Sequence, residues 1–415
     1  MGLSLAGKPS IVAEAEHPAA ARYLYRYVYK LRPDTQERFL QATRTYRRYR
    51  RHLYWPHHLA PLALPRRRPM PAHHSTTTPP RRSRHTLLAC ALLPLGLMAV
   101  NLATAAPAQP EAAVVADNFG PLKHINAGVL DVSYVEQGPA DGPVVILLHG
   151  WPYDIHSFEQ VAPDLAAKGY RVLVPYVRGY GQTRFLSAQT PRNAQPTALA
   201  SDVIAFMDAL HVRRAVLAGF DWGARTADIV AALWPERVKA LVSVSGYLIS
   251  SQEAAKAPLP PSAELQWWYQ YYFATPRGQA GYEQNRHAFA KLIWQTASPS
   301  WAFDDATFER SAKALDNPDH VAITVHNYRW RLGLALGETR YDPLEAKLAT
   351  FPSITVPTIT LEGDANGAPH PPAEAYAQRF TGKYEYRLIS GGIGHNLPQE
   401  APQAFAKAVV DADHM

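Results

Sequence analysis

Cysteine is almost missing from these 415 residues: the one present, Cys90, sits in an apolar run near the front of the chain. A disulfide framework needs pairs and a thiol mechanism needs a nucleophilic cysteine, so neither is available to the segment that follows. Acidic residues are scarce at the front, where residues 1–105 hold 17 Lys+Arg against 4 Asp+Glu, leaving 25 and 31 for the remainder. The overall charge of +7 is therefore a basic front on a mildly acidic body, and the body gives no electrostatic reason to expect nucleic acid as a partner. The apolar run Thr86 to Val100 (TLLACALLPLGLMAV) is interrupted by Pro94, and it falls short of the roughly 20 residues that a membrane span takes.

That run reads instead as the apolar region of a secretory signal peptide. Arg81-Arg82-Ser83-Arg84-His85 precedes it as a basic stretch, and Ala103-Thr104-Ala105 follows with the small-x-small form of a cleavage site. Signal peptides begin chains, and Met70 would start this one. Residues 70–105 are therefore read as the signal peptide and 1–69 as an upstream extension from a misassigned start. The other reading of 1–69 is a real, disordered basic tail, whose Tyr/Arg alternation from Arg22 to Tyr29 could stack on single-stranded nucleic acid. Leu87-Leu88-Ala89-Cys90 has the form of a lipoprotein box, but most of the apolar stretch follows the cysteine rather than preceding it. Export to the periplasm or beyond is the expected destination.

A serine is also missing where one would be most informative. Gly219-Phe220-Asp221-Trp222-Gly223 has the form of a nucleophile elbow, in which a sharp strand-to-helix turn lifts the central side chain above a sheet edge. Here that side chain is an aspartate. A hydroxyl needs a base to become a nucleophile, whereas a carboxylate is ionised at neutral pH and attacks alkyl carbons that bear a leaving group. Epoxides and haloalkanes fit better than esters.

The surroundings read as alternating strands and helices. Val129 to Val135 alternates like an edge strand, while 143–148, 171–175, 215–218, 239–244 and 354–361 are near-continuous apolar runs of the kind covered on both faces. Helix-like segments fall at 157–168, 197–210 and 224–234. This order predicts an α/β chain with a mostly parallel sheet and helices on both sides, and no internal repeat appears. From 251 to 349 the alternation gives way to aromatic-rich helical sequence containing Trp267, Trp268, Tyr269, Tyr271, Tyr272 and Phe273. That stretch reads as a helical cap over the strands' carboxyl ends, splitting the core into 106–250 and 350–415.

Asp221, the turn Gly363-Asp364-Ala365-Asn366-Gly367 and Gly394-His395 fall in the order nucleophile, acid, histidine. With His149-Gly150-Trp151-Pro152 ahead of them, they resemble the α/β-hydrolase fold of the epoxide hydrolases and the related haloalkane dehalogenases, over roughly residues 120 to 412. The resemblance implies roles without a cofactor or metal. Asp221 would form an alkyl-enzyme ester, and His395 would activate the water that hydrolyses it. The backbone N–H groups of Trp151 and Trp222 would form the oxyanion hole. Tyr269-Gln270-Tyr271-Tyr272-Phe273 and Tyr328-Arg329 resemble the two tyrosine sites of soluble epoxide hydrolases, which makes Tyr269 and Tyr328 the ring-oxygen donors and a small apolar epoxide, with water, the reactants. Trp151 stands where many dehalogenases carry an asparagine halide donor.

The acid departs from the family pattern. Its usual position falls on Asn366, Asp364 lies two residues earlier, and no carboxylate closely follows the strand ending near Val244. Either Asp364 reaches His395 through a remodelled turn, or Asn366 orients it and ester hydrolysis is slow. A second departure is Tyr176, where relatives often carry an aspartate. The competing readings are a haloalkane dehalogenase and a catalytically impaired hydrolase-fold protein that binds a small apolar ligand; an esterase would need a hydroxyl at position 221.

Overall fold

A computed structural model describes residues 119–415. The 1–69 extension, the 70–105 signal peptide with Cys90, and the first residues of the 106–250 segment lie outside the described residues. Nine strands form one sheet: β1 (Lys123–Ala127), β2 (Leu130–Gln137), β3 (Val144–Leu148), β4 (Arg171–Pro175), β5 (Arg184–Phe185), β6 (Ala215–Gly219), β7 (Val238–Val244), β8 (Thr358–Gly363) and β9 (Tyr384–Ile389). Their order is β1-β2-β4-β3-β6-β7-β8-β9, with the short β5 paired to β2. From β4 to β9 every pairing is parallel, while β2 runs antiparallel to β1, β4 and β5.

The period-2 geometry of the strands divides the core in two. Val145, Leu147, Val172, Val174, Val216, Ala218 and Val242 face α1 (Val161–Ala167) and the last long helix, Pro402–Asp413. Ile146, Leu148, Leu173, Leu217 and Leu241 face α2 (Pro196–Ala209) and α3 (Trp222–Leu233) on the other side. Because both faces are covered, the apolar runs are unbroken, as a doubly covered parallel sheet requires.

Three sequence expectations need correction. The 129–135 segment is not an edge strand, because β1 pairs outside it and leaves most of β2 buried. The 157–168 helix is a 3₁₀ turn, Ile155–Phe158, followed by the shorter α1. Within 354–361 only Thr358 onward is strand; Ile354 makes an isolated bridge to Phe380, and Pro357, lacking an N–H, separates the two.

Between β7 and β8 the chain is helical: α4 (Pro261–Gln266), α5 (Trp268–Ala274), α6 (Pro276–Ala297), α7 (Asp305–Ala312), α8 (His320–Arg331) and α9 (Asp342–Leu348). Two starts are capped by side chains, Thr275 Oγ1 accepting from Gly278 N–H at 2.9 Å and an Asp304 carboxylate oxygen from Thr307 N–H at 2.8 Å. Aromatic packing joins these helices to the loop after β3: the Trp151 ring lies 5.1 Å from Tyr269 and 5.3 Å from Tyr328, centroid to centroid.

The turn from β6 into α3 is the tightest part of the core. A Cβ at Gly223 would overlap the carbonyl oxygen of Leu148, and one at Gly219 would come within 2.6 Å of the Gly223 carbonyl carbon. A Cβ at Gly281 would meet only the hydroxyl end of Tyr272, which can swing away. Gly223→Ala is therefore expected to destabilise by several kcal/mol, in the range of about 1–3 for overpacking or beyond it, and Gly281→Ala to stay within about 1 kcal/mol. Urea unfolding of the two variants checks this ranking, and equal midpoints would refute it.

Candidate active site

Six parallel strands end at the same edge, and the site hangs from the carboxyl ends of five of them. The loop after β3 carries Gly150 and Trp151, the turn after β6 carries Asp221, and Ser245 follows β7. Asn366 follows β8, and His395 the loop after β9. Asp221 itself sits at φ 53°, ψ −125°, a strained conformation for a residue with a Cβ. Gly150 makes room for it, since a Cβ there would press on the Asp221 side chain.

The two carboxylate oxygens of Asp221 are not equivalent. Oδ1 accepts from the Trp151 backbone N–H at 2.7 Å, and the Trp222 N–H also bonds the carboxylate. Oδ2 faces His395 Nε2 at 3.4 Å. Burial works against ionisation here, but the His395 hydrogen bond and charge, the nearby Arg225 and the Trp222 amide outweigh it and hold the acid below its usual pKa.

His395 Nδ1 lies 3.2 Å from Asn366 Oδ1. The orientation of that amide is fixed by its other partners. Its Nδ2 donates to Glu362 Oε1 at 2.7 Å and to Ser245 Oγ at 3.2 Å, and its Oδ1 accepts from Ala368 N–H at 2.9 Å. An oxygen facing His395 makes Nδ1 a donor; the imidazolium form also donates from Nε2 to Asp221 Oδ2, and the neutral ring presents Nε2 as its basic nitrogen.

Asp364 is not the histidine's partner. It accepts from the backbone N–H groups of Gly391, Gly392 and Ile393, each at 2.9 Å, and these bonds, that of Gly391 first, hold its pKa down. Its carboxylate shapes the loop that carries His395 without touching the ring. Glu362 was missed in the sequence. It is 5% exposed, also accepts from Gly363 N–H at 3.2 Å, and stands directly behind Asn366. Glu362 is the one charged residue in the run from Ile354 to Gly363, and that was the signal that could have found it.

Tyr269 and Tyr328 stand together close to Asp221, their ring centres 5.3 Å apart. Trp222 Nε1 donates to the Tyr328 hydroxyl at 3.3 Å, and Tyr328 hydrogen-bonds Tyr269. Burial, with the Asp221 charge as a further cause, keeps both phenols protonated well above the ordinary tyrosine range. The two are not equivalent either: Tyr269 lines the cavity with Asp221 and His395, whereas Tyr328 is 1% exposed behind it. The cavity measures about 450 Å³ and also takes in Arg225, Ser245, Trp267, Trp268 and Arg331.

Behind Trp151 lies a buried polar chain. Trp151 Nε1 donates to the Tyr282 hydroxyl at 2.8 Å, that hydroxyl pairs with His320 Nε2 at 2.8 Å, and His320 Nδ1 donates to the Gly179 carbonyl at 3.0 Å. Desolvation pushes His320 down to about 3 and His149 to about 4. Among the described residues no cluster of three or more His, Cys, Asp or Glu could hold a metal ion.

Residues 143–311 match the family described as alpha/beta hydrolase fold. A crystal structure from Klebsiella pneumoniae, named as a proposed epoxide hydrolase, is 67% identical and covers 72% of this chain and 99% of its own, with a TM-score of 0.71. Epoxide hydrolase A of Mycobacterium tuberculosis is 33% identical over 305 residues, 67% of this chain and 92% of that protein. A haloalkane dehalogenase of Mycobacterium marinum is 27% identical over 220 residues, 48% of this chain and 67% of that protein. With other curated epoxide hydrolases the chain spans about two fifths of their length, 42% and 44% in two of them.

The buried histidines tie stability to pH. With folded pKa values near 4 and 3 against the ordinary 6.5, His149 and His320 stay neutral at a pH where the unfolded chain binds protons. Stability is therefore expected to fall as pH drops below about 6.5, by up to about 1.4 kcal/mol per unit for each histidine. In urea titrations between pH 7.5 and 4.5, His320→Gln should flatten this acid limb relative to the unaltered protein. Parallel curves would show that His320 does not contribute.

Proposed function

The chain belongs to the α/β-hydrolase family, in its epoxide hydrolase and haloalkane dehalogenase group, and on that premise we propose that it opens epoxides to diols through a covalent ester on Asp221. The observation that carries this reading is the split environment of the Asp221 carboxylate: Oδ1 rests on the Trp151 amide while Oδ2 is turned to His395 and the cavity.

Oδ2 attacks an epoxide carbon, the ring C–O bond breaks, and the departing oxygen takes the Tyr269 proton. Tyr328 and the Trp222 indole, bonded behind Tyr269, stabilise the phenolate that remains. A water gives a proton to His395 Nε2 and adds to the Asp221 carbonyl carbon, and the negative charge forms on the oxygen cradled by the Trp151 and Trp222 N–H groups. Collapse breaks the bond to the alkyl oxygen, which takes the proton from His395. The proton left on the Asp221 carboxyl restores the Tyr269 phenol, since the carboxyl is held low and the phenol high. Epoxide and water become a diol with no other reactant. The helices between β7 and β8 act as the cap that shuts bulk water out.

A halide would need free N–H donors. The two indoles beside Asp221 already donate to phenols, Trp151 to Tyr282 and Trp222 to Tyr328, which favours the epoxide over the haloalkane. Export through the 70–105 signal peptide remains part of the proposal.

His395→Gln should leave ester formation intact and block its hydrolysis, so intact-protein mass spectrometry after styrene oxide addition should show a stable adduct. Asp221→Ala should show neither adduct nor diol. An adduct on the Asp221→Ala protein would defeat the assignment.

The acid position gives a second test. An aspartate at 366 would put a carboxylate oxygen where the amide nitrogen now donates to Glu362 Oε1 at 2.7 Å, and two carboxylates that close cannot both ionise cheaply. Asn366→Asp alone is therefore expected to give no faster adduct decay than the native protein. Asn366→Asp with Glu362→Gln moves one charge next to the imidazole and should speed decay by about tenfold or more, a direction set by the stabilisation of imidazolium by a directly bonded carboxylate. Single-turnover decay rates decide, and a faster single variant would show that Glu362 does not carry the charge.

A further inference from the structure

Charge in the cavity is lopsided. Among the described residues Asp221 is the only carboxylate that lines it, while two guanidiniums, Arg225 and Arg331, line it as well. Arg225 lies one turn into α3 beyond Asp221, and its Nε donates to the Leu248 carbonyl at 3.3 Å. Arg331 ends α8, one turn after Tyr328, and lies against aromatic faces, its guanidinium carbon 4.8 Å from the Trp267 ring centre and 5.9 Å from that of Tyr328. Its Nη1 is buried with no hydrogen-bond partner among the described residues.

A guanidinium offers five donors in a planar fork and keeps its charge at neutral pH. Burial and the neighbouring Arg225 push Arg331 down only to about 10, so it stays cationic. A buried donor without a partner is costly, and a charged one more so. Hydrophobic side chains of similar size would fill this wall at less cost if the substrate were wholly apolar. With Asp221 ionised and His395 neutral, the lining carries one net positive charge, which one monoanion neutralises and a dianionic phosphate would exceed. Once Asp221 is esterified its own charge is gone and both cations face the bound alkyl group. The imbalance is then greatest in the intermediate.

We infer that Arg331, with Arg225, forms a carboxylate-binding subsite, and that the substrate is an epoxide bearing a carboxylate rather than a wholly apolar one. The inference rests on the epoxide reading of the same cavity for the reactive group, but the anion site itself does not need it. A fork meeting a carboxylate makes paired, charge-assisted hydrogen bonds. The aromatic wall of Trp267, Trp268 and Tyr269 takes the apolar middle of the molecule and leaves the epoxide at Asp221.

Two measurements separate the readings. The first is binding of benzoate against neutral benzyl alcohol to the full protein by isothermal titration calorimetry. Benzoate is expected to bind at least tenfold more tightly, and Arg331→Gln and Arg225→Gln should each lower its affinity about tenfold, while Arg331→Lys, which keeps the charge and loses the fork, should lie between. Benzoate no tighter than benzyl alcohol, or affinity unchanged in both glutamine variants, would overturn the subsite. The second is kcat/KM for 4-(oxiran-2-yl)benzoate relative to styrene oxide, two substrates with the same reactive ring. The ratio should favour the acid by tenfold or more and fall about tenfold in Arg331→Gln; a ratio near one would overturn the proposed substrate class. If benzoate binds as expected but neither epoxide is turned over, the epoxide reading fails while the anion site stands.

Discussion

Everything at the carboxyl edge of the sheet is organised around one strained residue. Asp221 holds a positive φ that an aspartate adopts only at a cost of about 1–3 kcal/mol. The turn closes only because Gly150, Gly219 and Gly223 carry no Cβ: one on Gly150 would press on the Asp221 side chain, and one on Gly219 or Gly223 would meet neighbouring backbone. The return on the strain is geometric. One carboxylate oxygen is pinned to the Trp151 amide and the other turned outward, so His395, Tyr269 and the cavity all take their positions relative to a single Oδ2. A relaxed turn would let the side chain rotate and lose that distinction.

Burying this carboxylate sets the electrostatics around it. Desolvation alone would raise its pKa, and the surrounding donors and cations must outweigh that for it to serve as a nucleophile at neutral pH. The histidine, the amides and Arg225 do so together. In the proposed mechanism the same positive surroundings remain after the charge is consumed in an ester, which would make the cavity a better host for an anion during the reaction than before it. The two phenols, buried and protonated, add donors without adding charge.

Much of this was legible in the sequence. The elbow, the His149-Gly150 loop and the histidine turn were picked out because each is a local pattern with a local steric or chemical reason, the two tyrosines through their resemblance to the epoxide hydrolases, and the sheet because doubly covered strands read as apolar runs. What stayed hidden depends on which side chains meet across the fold. Spacing alone could not decide between Asp364 and Asn366, because the two lie in one turn and differ only in direction: one folds back on the Gly391–Ile393 amides, the other faces His395. Glu362 was hidden because its role lies in a contact with Asn366, four residues on, that only the folded turn after β8 makes. The edge position of β2 was misjudged because β1, with its polar Lys123, His124 and Asn126, gives no apolar signal of its own.

The asparagine at 366 is then a consequence of where the carboxylate went. With Glu362 buried at the end of β8, a second carboxylate at 366 would face it within hydrogen-bond distance, and one of the two would have to take up a proton. An amide resolves the conflict, since its nitrogen donates to Glu362 and its oxygen accepts from His395. The negative charge remains in the line Glu362–Asn366–His395–Asp221 but stands one residue further from the imidazole, and because the Coulomb term falls with distance it stabilises the imidazolium less than a directly bonded acid would. Ser245 completes the arrangement from the strand end where the alternative acid would sit, accepting the second amide hydrogen. A histidine held this way keeps the geometry of a triad with a weaker electrostatic pull, so in the proposed mechanism the step that needs an imidazolium, hydrolysis of the ester, is the one on which the asparagine bears.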